Sequence, residues 1–417
     1  MRLPPNWRSA GCPDVRLGVV SPFLDRQHGT ELCITEQIER LASREGWRIE
    51  LYSQRVTQIH GLCARSTSPG SPEGGIFWHR VSRIPGPQLL KFPWWFLANH
   101  WARWKDRRLG RARYDLLYSP GINCLDADVI VVHIVFHAFY ESVREQLTLR
   151  RVPLRSWPRV LHRKLYYKLI MFLESRIYRK SRVRLLAVST VVAKQLDRYF
   201  GRKDVVVVPN ATDPLRFNPT VRGERRPQAR SMFGFADTDF VVLLIGNDWK
   251  KKGLDALLQA AARLLDLPLR LLIVGMDDPR MYGDVIQKLG LEKRIRFEPP
   301  SPDVVRFYAA ADAYAGPSLE DAFNLPILEA MACGLPVIAS AVAGAAELIE
   351  DGITGFTLPD PRNAEMLAEL LRSLWADAPR RARVSEGAAS VAARWTWDEN
   401  TAKLSQFLRM RRESQHT

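Results

Sequence analysis

Residues 318–340 read SLEDAFNLPILEAMACGLPVIAS. Two acids, Asp321 and Glu329, stand eight positions apart across the start of a short helix. Asn324 occupies an N-cap position, and Pro326 falls in the first turn, where its missing N–H costs nothing. Gly334 and Pro336 stop the helix after about two turns. The preceding AYAGPS and the following PVIAS are short apolar runs and read as buried strands. Strand, loop, helix and strand make the unit of a parallel sheet, whose ligands gather beyond the carboxyl ends of the strands. Both acids belong at such an end. The amides of Asn324 and Leu325 open the helix, whose positive pole suits an anionic or polar ligand. Ionised carboxylates accept hydrogen bonds from vicinal hydroxyls, so the pair fits a hydroxyl-rich ligand. The plainer alternative makes Glu329 a favourable charge near a helix start and Asp321 an ordinary loop residue.

The same rhythm runs along the whole chain. RLGVVSPF, RIELYSQ, DLLYS, DVIVVHIVF, RLLAVS and VVVVPN read as strands, with helices between them that include a long basic one over 161–180. Ser189 caps the helix TVVAKQLDRYF. A Pro- and Arg-rich stretch, DPLRFNPTVRGERRPQAR (Asp213–Arg230), interrupts the alternation and reads as a linker. Then DFVVLLIG, LRLLIVG, IRFEP, AYAGPS, PVIAS and ITGFTLP alternate with helices again. At 417 residues, two cores are expected. The sequence therefore predicts an α/β protein of two doubly wound Rossmann-like domains facing across a cleft. Residues 1–212 form the first, 213–235 the linker, 236–390 the second, and 391–417 a helical tail that packs back on the first domain.

LLIGNDWKKKGLDALL carries the opposite charge at an equivalent place. A strand ends at Gly246, and Lys250, Lys251 and Lys252 precede Gly253 and a helix. Cations there can clamp a diphosphate, whose charge grows as its substituent leaves. A solvated basic turn is the bland reading, above all for Lys250. In the first half, SPFLDRQHGTELC joins a strand to a helix, and Gly29 permits close backbone approach to phosphates or an acceptor. His133 ends a strand, and His137 follows it by four residues. Asp126-x-Asp128 resembles a metal-binding D-x-D only as a string, and reads better as a polar strand start.

Net charge is +16. Residues 1–210 carry about +18 and residues 211–417 about −2, so the excess lies in the first half. RRVPLRSWPRVLHRKLYYKLIMFLESRIYRK interleaves Arg and Lys with Trp157, Leu161, Leu165, Tyr166 and Leu169, and PWWFLANHWARWKDRR adds aromatic anchors. Such segments suit an anionic membrane surface. No apolar run reaches the ~18 residues of a spanning helix, and the opening MRLPPNWRSAGCPD shows no leader pattern. Five cysteines (Cys12, Cys33, Cys63, Cys124, Cys333) without paired spacing point to a reducing, cytoplasmic setting, with the protein peripheral on the inner membrane face. A basic chain also permits nucleic-acid binding, but no such motif is present and the acids would go unexplained. A dinucleotide-dependent dehydrogenase lacks its phosphate fingerprint in both halves.

PSLEDAFNLPILEAMACGLPVIAS resembles PS-x-x-E-G-F-G-x-x-x-x-E-A-M-A-C-G-x-P-V, the signature of family-4 retaining glycosyltransferases of the GT-B fold (glycosyl transferases group 1). Asp321 stands where the first Glu is usual, Ala322 and Asn324 where Gly is usual, and Glu329 is the second Glu; Glu320 competes with Asp321. VVVVPNATDPLRFNP and AGAAELIEDGITGFTL resemble further family segments. The family's G-R-L-x-x-x-K-G appears with Asn247 in place of Arg, while Lys251 and Lys252 match the basic pair of a subset that includes lipopolysaccharide-core glucosyltransferases. The resemblance implies transfer of a sugar from a UDP- or GDP-linked donor to a glycan or lipid-linked acceptor, retaining and metal-independent, with no cofactor and no nucleic acid partner. It implies that Glu329 holds ribose hydroxyls, that Asp321 contacts the donor sugar, and that Lys251 and Lys252 stabilise the leaving group. Gly246, Asn324 and Leu325 line the donor site, and His133 lies near the donor. Asp321 and Asn247 depart from the pattern, so a catalytically silent homologue is the alternative.

Overall fold

The computed structural model describes residues 15–26, 28–63, 74–144, 147, 155 and 157–416. The opening MRLPPNWRSAGCPD with Cys12, and positions 150–154 and 156 of the basic run, lie outside them. Two compact units emerge. One gathers Met1–Val131, Val152–Leu185 and Lys403–Thr417, the other Val132–Arg151 and Leu186–Ala402. The cut thus differs from the sequence division at 212 and 391.

In the first unit, parallel strands Leu116–Pro120, Arg16–Val20, Arg48–Ser53 and Gly75–Arg80 lie side by side in that order. The side chains of Leu116–Pro120, Arg16–Val20 and Arg48–Ser53 are almost all buried, as apolar runs covered on both faces must be. The chain moves outward from Arg16–Val20 and then returns to its other side with Leu116–Pro120. The tail belongs to this unit from Lys403 onward. Arg409 pairs with Glu45 at 2.9 Å and lies over Trp47, and Arg412 pairs with Asp115 at 3.3 Å.

The second unit holds a six-stranded parallel sheet ordered Ile295–Glu298, Leu269–Val274, Phe240–Ile245, Ala313–Gly316, Val337–Ser340, Phe356–Leu358. Its core joins Val242, Leu244, Trp249 and Leu257 to Ile273, Ile338 and Leu371. The order reverses between Phe240–Ile245 and Ala313–Gly316, and ligands of open α/β sheets bind at such a switch point, beyond the carboxyl ends of the strands. The loops leaving these two strands are 246–253 and 317–324, the lysine and acidic segments.

The expected linker is largely a helix, Pro219–Phe233. Asn218 Oδ1 accepts the Val221 N–H at 2.8 Å, Pro219 sits in the first turn, and Gly234 ends the helix left-handed. Its arginines look like linker charge in the sequence but are used internally. Arg222 donates to the carbonyls of Tyr308 and Ala311, Arg226 to Ala311 and Asp312, and Arg230 to Ala310, Asp239 and Asp312. They cap the carboxyl end of the helix Val305–Ala310. Ser189 caps Thr190–Phe200 as expected, accepting from the Val192 N–H. Among the described residues no helix is long and apolar enough to cross a membrane.

Candidate functional site

The acidic loop leaves Ala313–Gly316 and enters the helix Leu325–Ala332. Asn324 stands at the N-cap position but its side chain does not cap. Its backbone is left-handed (φ 67°), a conformation Asn tolerates and Gly prefers, which accounts for the residue type at this position. Asn324 Nδ2 donates instead to Ser318 Oγ at 3.2 Å. The segment 343–345 ties the loop down: Gly344 N–H donates to Asp321 O at 3.1 Å and Ala345 N–H to Phe323 O at 2.7 Å. A Cβ on Gly344 would stand 2.1 Å from Ala322 O. Ser189 Oγ donates to that same carbonyl at 2.6 Å. Residues Gly344–Leu348 form a short 3-10 helix.

Glu329 lies one turn inside the helix. Its Oε2 accepts a 2.5 Å hydrogen bond from the hydroxyl of buried Tyr308. Burial pushes the carboxyl above its usual range, against the hydrogen bond of Tyr308 and the charge of Arg216, which pull the other way.

The lysine loop is built as a rigid platform. Asp277 accepts the N–H groups of Asp248 at 2.9 Å and Trp249 at 3.3 Å, and Asp248 accepts that of Lys251 at 3.2 Å. Trp249 is buried against Phe297 and Tyr282. Asn247, which replaces the Arg of the resembling pattern, accepts the Met276 N–H at 3.1 Å and so ties two loops together. Gly253 (φ 82°) lets this loop meet the acidic one, since a Cβ there would stand 1.9 Å from Pro317 O. Leu319 N–H donates to Lys251 O at 2.8 Å.

That backbone contact sets the side chains in register. Lys251 Nζ pairs with Glu320 at 2.6 Å, and Lys252 Nζ with Asp321 at 2.5 Å. Lys251 also sits 4.9 Å from the ring centroid of Phe139. Gly246 makes room for the Lys252 stem, whose Cε a Cβ would meet at 2.5 Å. Lys250 points to solvent. The arrangement offers ammonium groups for developing negative charge beside carboxylates that accept hydroxyl protons.

Thus Gly246, Lys251, Lys252, Asp321, Asn324, Leu325 and Glu329 lie on the loops and helix that leave two adjacent strands of one sheet. His133 belongs to the same compact unit. It follows the strand Val129–Val132, its Nε2 is buried without a partner among the described residues, and burial lowers its pKa to about 4. His137 packs against Tyr199 and Phe200. Gly29 is the exposed first residue of the helix Gly29–Glu45, in the other unit. Asp126 and Asp128 have structural partners. Asp126 holds Arg103 through two contacts of 2.7 and 2.8 Å, and Asp128 accepts the Leu117 N–H. Tyr308, Asp277, Trp249 and Phe139 escaped the sequence reading. Tyr308 sits in an apolar helix and reads as core, whereas Asp277 could have been suspected from its place just beyond a strand end.

Two units built on parallel sheets point to a class, the GT-B fold. WaaG, a glycosyltransferase involved in lipopolysaccharide biosynthesis, superposes with a TM-score of 0.71 at 20% identity, covering 94% of this chain and 99% of that one. Sucrose-phosphate synthase from Thermosynechococcus elongatus gives 0.72 at 20%, covering 95% and 98%. Anabaena Alr3699/HepE, solved in complex with UDP and glucose, gives 0.66 at 19%, covering 94% and 99%. Residues 28–216 match the family model Glycosyltransferase Family 4, and residues 225–391 match Glycosyl transferases group 1. With both halves matched, the chain belongs to the family-4, group-1 glycosyltransferases. Curated relatives include D-inositol 3-phosphate glycosyltransferases of Corynebacterium urealyticum (33% identical; 55% of this chain, 57% of that protein) and Actinosynnema mirum (34%; 53% and 56%). The chain spans about half the length of the curated relatives it matches.

Proposed function

We propose that this protein transfers a sugar from a nucleoside-diphosphate donor, UDP- or GDP-linked, to an acceptor hydroxyl with retention of anomeric configuration and without a metal. The observation that carries this reading is the register of Lys251 and Lys252 with Glu320 and Asp321 beside half-buried Glu329. In the reaction the bond from the anomeric carbon to the β-phosphate oxygen breaks, and a bond to the acceptor oxygen forms. The acceptor proton passes to the departing phosphate, so no protein base is needed. Lys251 and Lys252 stabilise the charge that grows on that phosphate. Glu329 accepts from the ribose hydroxyls, and Asp321 contacts the donor sugar. Neutral His133 has no charge to oppose the oxocarbenium-like centre. A solved neighbour holding UDP and glucose supports the donor class. A panel of sugar nucleotides in a thermal melt tests it. The expected result is a rise in Tm with a UDP or GDP sugar by mass action, and no shift with any of them contradicts it.

We infer further that the acceptor is lipid-linked and that the first unit docks on an anionic bilayer. On the helix Gln88–Arg108, Leu97 (68% exposed) and Trp101 (60%) project outward with Trp94 and Trp104, among exposed Lys91, Lys105, Arg107 and Arg108. The helix Trp157–Tyr178 exposes Trp157, Leu161 and Leu165 beside Arg159, Arg163 and Lys168. Apolar anchors within a basic field complement anionic headgroups. Cys33, Cys63, Cys124 and Cys333 are free thiols, which supports a reducing, cytoplasmic compartment. Co-sedimentation with phosphatidylglycerol vesicles but not with phosphatidylcholine vesicles is expected, and equal, negligible binding to both contradicts the docking.

A further inference from the structure

We propose that Glu320 is a positioning residue, an exchangeable counter-charge that keeps Lys251 in place and sets how tightly a diphosphate is held. The inference rests on the reading that the lysine doublet receives the donor diphosphate.

Each lysine of the doublet has its own acid: Lys252 takes Asp321, and Lys251 takes Glu320, so the two acids divide the work instead of competing for it. The side chains of Lys251 and Glu320 are only 25% and 16% exposed. An ammonium so withdrawn from water needs a counter-charge, and Glu320 supplies it. The backbone bond from Leu319 N–H to Lys251 O fixes the spacing of the two loops, and the Phe139 ring flanks the ammonium on another side. A lysine head has three donors, more than the contacts with Glu320 and the Phe139 ring can occupy, so the ammonium can also receive a ligand. When a diphosphate arrives, Lys251 gives part of its charge to phosphate oxygens, while Glu320 remains nearby as a like charge that opposes them. Glu320 therefore weakens binding of the anion and speeds its departure after transfer. Glutamine keeps the shape and the acceptor oxygen but removes this opposition.

The test is calorimetric titration of UDP, GDP and inorganic pyrophosphate into wild type, Glu320→Gln, Lys251→Met and the double variant, each first matched by circular dichroism. Glu320→Gln is expected to tighten nucleoside-diphosphate and pyrophosphate binding roughly threefold to tenfold, the scale of one partly screened charge. Its salt dependence should steepen, and kcat should fall as product lingers. On the Lys251→Met background the same substitution should have no effect, because the coupling runs through that ammonium. A purely structural role would weaken binding or leave it unchanged, so equal or weaker affinity in Glu320→Gln overturns the proposal alone. The same holds for an undiminished effect without Lys251. Wild type that binds none of the three ligands overturns the donor-site reading and this inference with it.

Discussion

The ammonium of Lys252 and the carboxylate of Asp321 meet at 2.5 Å across 69 positions of sequence. Gly246 clears space for the lysine stem, and Gly253 lets its backbone reach Pro317. The charge pair is thus a product of backbone approach at a topological switch point.

Removing that ammonium should cost rate more than binding. Lys252→Met is expected to lower kcat about 10²- to 10³-fold, the scale for one lost donor to a developing anion, with a smaller change in donor KM. Lys250→Met, at an exposed position, should stay within about twofold of wild type. Steady-state kinetics on the two variants checks the contrast.

Two glycines of like backbone angle separate strain from collision. Gly352 (φ 76°) has nothing within 4 Å of a built Cβ, whereas at Gly253 (φ 82°) Pro317 O lies 1.9 Å away. Gly352→Ala should cost about 1–2 kcal/mol, the left-handed penalty alone. Gly253→Ala should cost more and also weaken nucleotide binding, as thermal melts and titrations would show.

The arginine ladder makes a stability prediction. Arg230, with its side chain 2% exposed, pairs with Asp312 at 3.1 Å and donates to the Ala310 and Asp239 carbonyls. Arg230→Ala leaves Asp312 with Arg226 and the Val241 N–H but takes a donor from the Ala310 and Asp239 carbonyls, and should cost about 1–3 kcal/mol. Arg225, in an exposed pair with Asp303, should cost at most about 1 kcal/mol. Urea unfolding of the two variants decides it.

These predictions mark where the sequence was readable. The short helix after AYAGPS, its proline start and its glycine stop follow from local rules, as does the Ser189 cap. The lysine and acidic loops could be named because each follows a buried strand. Their pairing in register could not, because it depends on strand order and on the Gly253 approach to Pro317. The 219–233 helix was hidden by composition: Pro and Arg read as linker until the carbonyls that the arginines cap are known. Tyr308 was hidden for the opposite reason, since an aromatic in an apolar helix gives no sign that its hydroxyl meets Glu329.

His133 sets a pH response. Burial lowers its pKa from 6.5 to about 4, so the unfolded chain takes up a proton before the folded one does. Its contribution is complete above about pH 6.5 and is lost as pH falls toward 4, on the order of 3 kcal/mol in all. His133→Leu should flatten that part of the stability curve, which denaturant titrations from pH 7 to pH 4 would reveal.

Calorimetric titration of UDP and GDP into wild type and Glu329→Gln tests the central claim most directly. One nucleotide should bind wild type, and the variant should bind it at least about tenfold more weakly, as expected when a charged acceptor of ribose hydroxyls is neutralised. Equal affinity in the two proteins contradicts the assignment of this switch-point loop and helix as the donor site.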